Sequence, residues 1–335
     1  MNGVNGTLGT AAGGTLLEHA THTINVGSKS FAAAAKLFDP ATRRSVLMLY
    51  AWCRHCDDVV DGQELGFGTI APTPEAAARE LAVLEDTTRR AYQRETMTEP
   101  AFAAFQEVAL RHAIPPRFAF DHLAGFAMDV HEVRYETLDD TLRYCYHVAG
   151  VVGLMMASIM GVTREPVLDR ACDLGLAFQL TNIARDIVDD AAIGRSYVPA
   201  QWLREAGIPA GEAGLPQHRA ALAVVAARLV DEAEPYYDSA ADGIASLPLR
   251  AAWAIATARY VYRQIGVEVK RRGAHAWDER VGTSKATKLW LLAKGGVAAL
   301  LSRFRKPAAR PAGLWQRPRV DARAARPDGA RATAA

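Results

Sequence analysis

Apolar positions in this chain recur with the three-to-four-residue spacing of α-helices, and no stretch shows the sustained alternation of a half-buried strand. Proline and glycine interrupt this pattern repeatedly, so we predict an all-α chain of about ten helices around one core. The predicted helices are approximately Leu16–Phe38, Ala41–Asp61, Glu75–Glu95, Pro100–His112, Pro116–Val130, Thr137–Met160, Pro166–Gly194, two or three between Gln217 and Arg272, and Ser284–Arg305.

Two local motifs predict where helices begin. Asp39-Pro40 combines an N-cap residue with proline at the first helical position. Thr137-x-x-Asp140 resembles a capping box with Asp in place of Glu. The Gly- and Pro-rich stretch Gly62–Pro74 and the segment Arg195–Pro216 are predicted to be loops.

The two ends of the chain differ in composition from its centre. Residues 1–15 are rich in Gly, Thr and Ala, and residues 306–335 are rich in Arg, Pro and Ala. Both are predicted to be disordered, which leaves residues 16–305 as a single domain. The basic tail could contact an anionic membrane surface or simply remain solvated.

Composition excludes several classes of protein. The chain has 335 residues, is 50% hydrophobic and 23% charged, and carries a net charge of +2 without a basic stripe, so no nucleic-acid partner is expected. The amino terminus has no apolar signal region, and the apolar runs Val148–Met160 and Leu289–Leu301 are shorter than the roughly 20 residues of a membrane span. The four cysteines lie in apolar helical patterns, which indicates reduced thiols and a cytoplasmic location.

A column of oxygen-bearing side chains is the first chemical signal. Asn182, Asp186 and Asp190 are spaced four apart in the apolar stretch Leu174–Pro199, so they share one helix face, with Arg185 beside them. Carboxylates on a buried helix need a cation, and an all-oxygen set suits Mg²⁺ or Mn²⁺. The alternative is a solvated acidic face.

A second acidic column lies on another apolar helix. Asp57 and Asp61 share a face in Tyr50–Gly62, and Arg54 lies one turn earlier. If the two columns face each other across a helical bundle, they could hold several divalent ions and the diphosphate that those ions bridge. Two unrelated acidic faces are the alternative.

Three other motifs resemble nucleotide-, phosphate- or zinc-binding sequences, but the residues around them do not fit those functions. Gly66–Ala71 fits a dinucleotide fingerprint but follows a helix and runs into Pro72, so no NADPH site is expected. Gly27–Ser30 lacks the Gly-Lys pair of a phosphate loop, and Cys53-x-x-Cys56 has no second ligand pair for zinc.

The apolar stretch Leu142–Gly153 carries small residues and two phenols. Gly150 and Gly153 would either let helices pack closely or leave a groove for a slender ligand. The hydroxyls of Tyr144 and Tyr146 need partners in such surroundings, either a diphosphate oxygen or a backbone carbonyl.

Together these segments resemble the squalene/phytoene synthase family. The matching pieces are SKSF at Ser28–Phe31, YAWCRHCDDVVD at Tyr50–Asp61, YCYHVAGVVG at Tyr144–Gly153, FQLTNIARDIVDD at Phe178–Asp190 and GRSYVP at Gly194–Pro199. The resemblance implies a single-domain isoprenoid (prenyl) synthase helical bundle with a central cavity.

The resemblance also implies roles for individual residues. Asp57, Asp61, Asn182, Asp186 and Asp190 match the metal-binding motifs. Arg54 and Arg185 match the arginines that contact diphosphate, and Tyr144 matches a tyrosine that assists diphosphate handling or proton transfer. The implied substrate-binding positions are Ser28, Lys29, Ser30, Phe31, Tyr50, Val148, Val152, Phe178, Gln179, Arg195 and Tyr262.

The implied activity is head-to-head condensation of two geranylgeranyl diphosphates, through prephytoene diphosphate, to phytoene. Several Mg²⁺ or Mn²⁺ ions are implied and NADPH is not, whereas activation by ATP and the oligomeric state stay undetermined. Because substrate and product are apolar, peripheral contact with the inner face of the cell membrane is expected.

Four other functions are alternatives to this activity. A squalene or dehydrosqualene synthase would use farnesyl diphosphate. Head-to-tail prenyl elongating enzymes and terpene cyclases share the DDxxD pattern of Asp57–Asp61, but Asn182–Asp190 fits neither second motif. A non-catalytic helical protein that binds divalent ions is the fourth.

One small residue is predicted to set the length of the prenyl chain that the substrate may have. Ala35 follows Phe31 by one turn on the presumed cavity face, where its side chain would leave room for a long prenyl tail.

Overall fold

The computed structural model describes residues 8–63 and 73–319, and every regular element in these ranges is helical. The predicted all-α class is therefore confirmed for the described part of the chain. The Gly66–Ala71 motif and the distal tail beyond residue 319 lie outside the described residues.

Thirteen α-helices account for most of the described chain. They are α1 (Leu8–Gly27), α2 (Lys29–Ala35), α3 (Pro40–Asp61), α4 (Pro74–Tyr92), α5 (Pro100–Arg111), α6 (Pro116–Val130), α7 (Leu138–Cys145), α8 (Val151–Ile159), α9 (Glu165–Ala192), α10 (Ala200–Glu205), α11 (Arg219–Gly243), α12 (Leu249–Arg272) and α13 (Lys285–Leu301). A π-helical turn, Tyr146–Gly150, joins α7 to α8, and short 3₁₀ turns occupy Pro216–His218, Ile244–Ser246, Gly273–His275 and Ser302–Phe304.

Both predicted helix starts are confirmed. The Asp39 carboxylate accepts hydrogen bonds from the backbone N–H groups of Ala41 at 3.1 Å and Thr42 at 3.0 Å. Thr137 and Asp140 form a complete capping box at the start of α7. These groups satisfy N–H donors that the helices themselves leave unpaired.

The amino-terminal helix differs from the prediction in two ways. It begins at Leu8, inside the segment predicted to be disordered, and it breaks at Ser28 instead of running on to Phe38. Ser28 is extended, with φ −153°, and its hydroxyl accepts from the Phe31 N–H at 3.3 Å. A Cβ atom on Gly27 would lie 2.5 Å from the Tyr50 hydroxyl, so this glycine permits close contact with α3.

The run Leu138–Ile159 is one continuous helical segment that passes through the π turn. In the described residues, this single run is long and apolar enough, by length and composition, to cross a membrane. It contains the apolar run from Val148 that we predicted to be too short. Its most apolar window is 56% buried within the protein, as expected for a core helix.

The backbone of α9 packs directly against the backbone of α8 and of the π turn that precedes it. A Cβ atom on Gly153 would lie 2.3 Å from the Ala171 carbonyl oxygen, and one on Gly175 would lie 2.3 Å from the Ala149 carbonyl oxygen. Of the two predicted roles for small residues, close packing is confirmed, and Gly153 also lines the central cavity.

The described part of the carboxy-terminal tail, residues 306–319, differs from the predicted disorder. Arg310 binds Asp173, with Nη2 2.7 Å from Oδ1, and Arg317 binds Asp169, with Nε 2.8 Å from Oδ1. Asp173 is only 1% exposed, so the first half of α9 carries buried carboxylates that take their cations from the tail. Composition alone could not predict this long-range pairing.

Candidate active site

A cavity of about 420 Å³ lies between the helices, with a wall that is mostly apolar. Its size is typical of small-molecule sites. Seven of the predicted substrate-binding residues lie on this wall: Phe31, Tyr50, Val148, Val152, Phe178, Gln179 and Tyr262.

Ala35 is not among the residues that line the cavity, which corrects our prediction. It is 3% exposed and belongs to the same apolar core cluster as Ile24 and Phe38. One turn of α2 carries the helix face from the cavity, where Phe31 lies, into the core. Ser28 caps α2, and the roles predicted for the Lys29 and Ser30 side chains fall outside the described ones.

The first acidic column lies at one end of the cavity. Arg54 and Asp57 both line the cavity and form an ion pair, with Nη1 2.6 Å from Oδ2. Asp58 is buried, 8% exposed, and its Oδ1 lies 3.7 Å from the same guanidinium nitrogen. One arginine therefore serves two carboxylates of α3.

The second column carries its own arginine. Arg185 Nε donates to Asp186 Oδ1 at 2.8 Å, and Arg280, which we did not predict, donates to Asp186 Oδ2 at 3.3 Å. Asn182 lines the cavity, and its Nδ2 donates to Gln179 Oε1 at 3.3 Å. Asn182 Oδ1 is buried and accepts no hydrogen bond from any described residue.

An ion pair joins the two columns. Arg195, three residues beyond the end of α9, places its Nη2 2.6 Å from Oδ1 of Asp61. The same guanidinium acts electrostatically on Asp129 and Asp190. The structure therefore brings the acidic ends of α3 and α9 together, and of the five predicted metal-binding residues Asp57 and Asn182 lie on the cavity wall while Asp61, Asp186 and Asp190 do not.

Sequence reasoning missed Asp129 and Tyr197. Asp129 lines the cavity and accepts hydrogen bonds from the hydroxyls of Tyr144 at 3.2 Å and Tyr197 at 3.0 Å. The two rings stack, with centroids 4.5 Å apart. Asp129 lies eight residues after Asp121, the other acid of α6, and Tyr197 lies in a loop, so neither residue gave a spacing signal.

Carboxylates are also the partners of the two predicted tyrosines. Tyr146 donates to Asp121 Oδ2 at 2.5 Å, as Tyr144 does to Asp129, so the predicted backbone carbonyl is not the partner of either. Burial and the nearby Asp129 charge raise the pKa of Tyr144 well above its usual value. Its hydroxyl is therefore held in the protonated, donating form.

Burial, together with neighbouring acids, raises the pKa values of three carboxyl groups. Burial, with the nearby Asp186 charge, raises the pKa of Asp190 to about 7. Burial also raises the pKa of Asp57 to about 6, against the opposing charge of Arg54. It raises the pKa of Asp129 to about 6, against the opposing charge of Arg195. The negative charge of Asp61 adds to both shifts. Each of these groups would be stabilised in its charged form by an added cation.

The donor set fits Mg²⁺ or Mn²⁺ that is shared with a diphosphate. No three His, Cys, Asp or Glu side chains in residues 8–63 and 73–319 are grouped closely enough to hold a metal ion alone. Mg²⁺ usually takes one or two carboxylates plus substrate phosphates, so opposed carboxylates and the unpartnered Asn182 oxygen suit it.

Comparisons with known proteins agree with this geometry. A model of the squalene/phytoene synthase family matches residues 24–287. A 15-cis-phytoene synthase of Pantoea ananas is 63% identical over 304 residues, which cover 91% of this chain and 98% of the relative. One from Enterobacter agglomerans is 64% identical over 295 residues, covering 88% and 100%.

A solved structure shares the fold. A dehydrosqualene synthase in complex with a ligand superposes with a TM-score of 0.76 at 25% identity, covering 85% of this chain and 96% of the other. The predicted isoprenoid synthase bundle is confirmed. This chain belongs to the squalene/phytoene synthase family.

Proposed function

We propose that this protein joins two molecules of geranylgeranyl diphosphate head to head and releases phytoene and two diphosphates. The carrying observation is an apolar cavity whose wall includes Arg54 and Asp57 of the first column and Asn182 of the second, with the Arg195–Asp61 ion pair joining the two columns. The names of relatives 63% and 64% identical to this chain support the same activity.

The polar end of the cavity would hold the diphosphates. Mg²⁺ or Mn²⁺ would be held by Asp57, Asp61, Asn182, Asp186 and Asp190 together with diphosphate oxygens, and when bound would neutralise the charge of the leaving group. Fixed charges of this kind stabilise a departing phosphate in a low-dielectric site.

The motif arginines are placed to bind the same diphosphates. Arg54, which lines the cavity, and Arg185 and Arg195, which do not, are each ion-paired with a carboxylate of one of the two columns. An incoming diphosphate offers its oxygens as further acceptors for these guanidinium groups, which bind phosphate well because of their planar, multiple donors.

Tyr144 would supply a proton at a defined position. Its hydroxyl is held by Asp129, and its raised pKa keeps it protonated. We propose that, when a diphosphate binds, this single O–H turns away from Asp129 and donates its one hydrogen bond to a diphosphate oxygen instead.

The apolar wall would protect the carbocations. Cleavage of one C–O bond leaves an allylic cation, the double bond of the second substrate attacks it, and loss of a proton closes a cyclopropane. A second C–O cleavage, rearrangement and proton loss give phytoene. The rings of Phe31, Phe178 and Tyr262 contact one another on this wall, where they can stabilise positive charge and exclude water.

We further propose that the protein acts in the cytoplasm, in peripheral contact with the inner face of the cell membrane, and needs no NADPH. Phytoene formation requires no hydride, whereas squalene formation does. The apolar character of substrate and product supports the membrane contact.

Product analysis with competing substrates tests the proposal. Purified full-length protein is incubated with Mg²⁺, isopentenyl diphosphate and equal concentrations of labelled geranylgeranyl and farnesyl diphosphate, without NADPH. Phytoene as the main product is expected. Dehydrosqualene as the main product would instead support the farnesyl-using alternative, and a longer prenyl diphosphate or a cyclic terpene would reject head-to-head condensation.

A further inference from the structure

The carboxy-terminal helix α13 has one face that residues 8–63 and 73–319, the part of the chain that the structure describes, leave uncovered. Leu291, Gly295 and Ala299 are buried against the fold. On the outer side, Leu289 is 68% exposed, Trp290 59% and Leu300 54%. A row of large exposed apolar side chains on a single helix is unusual for a protein surface in water.

The exposed apolar residues form a continuous surface. At 100° per residue, Leu289, Trp290, Val297, Leu300 and Leu301 fall within about 120° of the helix circumference. Phe304, 87% exposed, extends this surface beyond the helix end. We call these six residues the apolar face.

Cations surround the apolar face and acids are absent from its sequence neighbourhood. Lys285 and Lys294 flank the face on opposite sides of α13, and Arg305 and Lys306 are exposed just beyond it. The chain has no Asp or Glu between Glu279 and Asp321. An apolar helix face bordered by cations is the pattern of helices that lie in the interface of an anionic bilayer.

A second cavity lies beside this face. It has a volume of about 240 Å³ and is lined by Lys285, Lys288 and Leu289 of α13. It shares the wall residues Phe31, Ala258 and Tyr262 with the central cavity. A bilayer against the apolar face would therefore lie next to an apolar chamber that adjoins the proposed reaction site.

We propose that the apolar face of α13 docks onto an anionic phospholipid bilayer. A second copy of this chain is a poorer occupant, because a twofold contact would place Lys285 and Lys294 against the same cations. The sequence beyond residue 319 is also unsuitable, because Val320 is its only large apolar residue.

The proposal rests on the membrane contact proposed above, and vesicle binding tests it without catalysis, so its failure would remove that contact and leave the proposed condensation standing. Full-length protein is sedimented with vesicles of phosphatidylcholine containing one third phosphatidylglycerol. The double variant Leu289→Glu/Leu300→Glu should bind about a hundredfold more weakly, since two apolar side chains leave the interface. The matched control is Val83→Glu/Val224→Glu, which alters side chains 58% and 69% exposed on α4 and α11 and should bind like the wild type.

Fluorescence locates the contact independently. Brominated phospholipids should quench tryptophan emission of the wild type, and Trp290→Phe should remove most of that quenching. Absence of vesicle binding by the wild type, or equal loss of binding in both double variants, would overturn the proposal. So would a wild-type dimer that Leu289→Glu/Leu300→Glu dissociates while vesicle binding is unchanged.

Discussion

Arg195 and Asp61 hold together two helices that are far apart in sequence. The guanidinium Nη2 lies 2.6 Å from Oδ1 of Asp61, so the carboxyl end of α3 is fixed to the segment that follows α9. Since each helix carries one acidic column, this ion pair sets how the columns face each other.

Loss of this ion pair should impair turnover more than folding. Arg195→Gln is expected to lower kcat by about 10² to 10³, the usual effect of removing one electrostatic donor from an active site. Steady-state kinetics at saturating Mg²⁺ measures this. The control Arg204→Gln removes an exposed ion pair with Glu136 and should leave kcat unchanged. Equal rates for Arg195→Gln and the wild type would exclude Arg195 from the site.

Neutralising either acidic column should abolish turnover without unfolding the bundle. Asp57→Asn and Asp186→Asn each remove a proposed oxygen ligand, and both should retain the wild-type circular dichroism spectrum. Asp139→Asn, at a carboxylate 65% exposed on α7, is the matched control and should remain active. Near wild-type rates for either column variant would reject the two-sided metal clamp.

The Asp129 carboxyl should make folding stability depend on pH. Its pKa is about 6 in the folded protein, above the value near 3.9 of an unfolded chain, so it stabilises the fold at low pH and loses that contribution as pH rises through 6. The free energy of unfolding of Asp129→Asn, relative to wild type, should therefore be about 1 kcal/mol higher at pH 8 than at pH 5. Urea unfolding at both values measures the difference, and a difference of opposite sign would contradict the assignment.

The chain length of the prenyl substrate should be controlled along the continuous helical run from α7 through the π turn to the end of α8, instead of at Ala35. Tyr144, Val148, Val152, Met156 and Met160 recur every four residues and all line the cavity. At 1.5 Å per residue, Met156 lies about 18 Å along the helical run from Tyr144. Met156 is therefore distant from the end of the cavity where Asp57 and Asp129 lie.

We expect Met156→Trp to raise the preference for farnesyl over geranylgeranyl diphosphate about tenfold or more, as kcat/KM ratios would show. Ala35→Phe is the contrast: it overpacks a core position that is 3% exposed and should lower stability without changing selectivity. A selectivity change in Ala35→Phe alone would restore our original prediction.

The tail beyond α13 should be part of the folded unit. Arg310 neutralises Asp173, which also accepts from Ser239 at 2.5 Å. Arg310→Met leaves that carboxylate buried with one fewer partner and should lower the free energy of unfolding by about 3 kcal/mol. Urea unfolding measures this. The double variant Arg310→Met/Asp173→Asn should recover part of the loss, and no recovery would show that the charge pair is not the cause.

Local signals predicted much of the fold and part of the site. Pro40, Pro100 and Pro116 begin helices as expected, because proline at a first helical turn is decided by neighbouring residues. The acidic columns were found because a four-residue spacing puts side chains on one helix face.

Long-range pairings could not be predicted in the same way. Asp129 and Tyr197 meet only because α6 and the loop after α9 fold together, and Arg310 finds Asp173 across 137 residues. Ala35 had the right spacing from Phe31, but the cavity ends before the next turn of α2, and only packing determines that boundary.

The stoichiometry of diphosphate release tests the central claim most directly. Purified protein with geranylgeranyl diphosphate and Mg²⁺, without NADPH, should release two diphosphates for each C40 hydrocarbon formed. One diphosphate released per condensation, with the second retained on an acyclic prenyl product instead of the cyclopropyl intermediate, would contradict head-to-head condensation at this site.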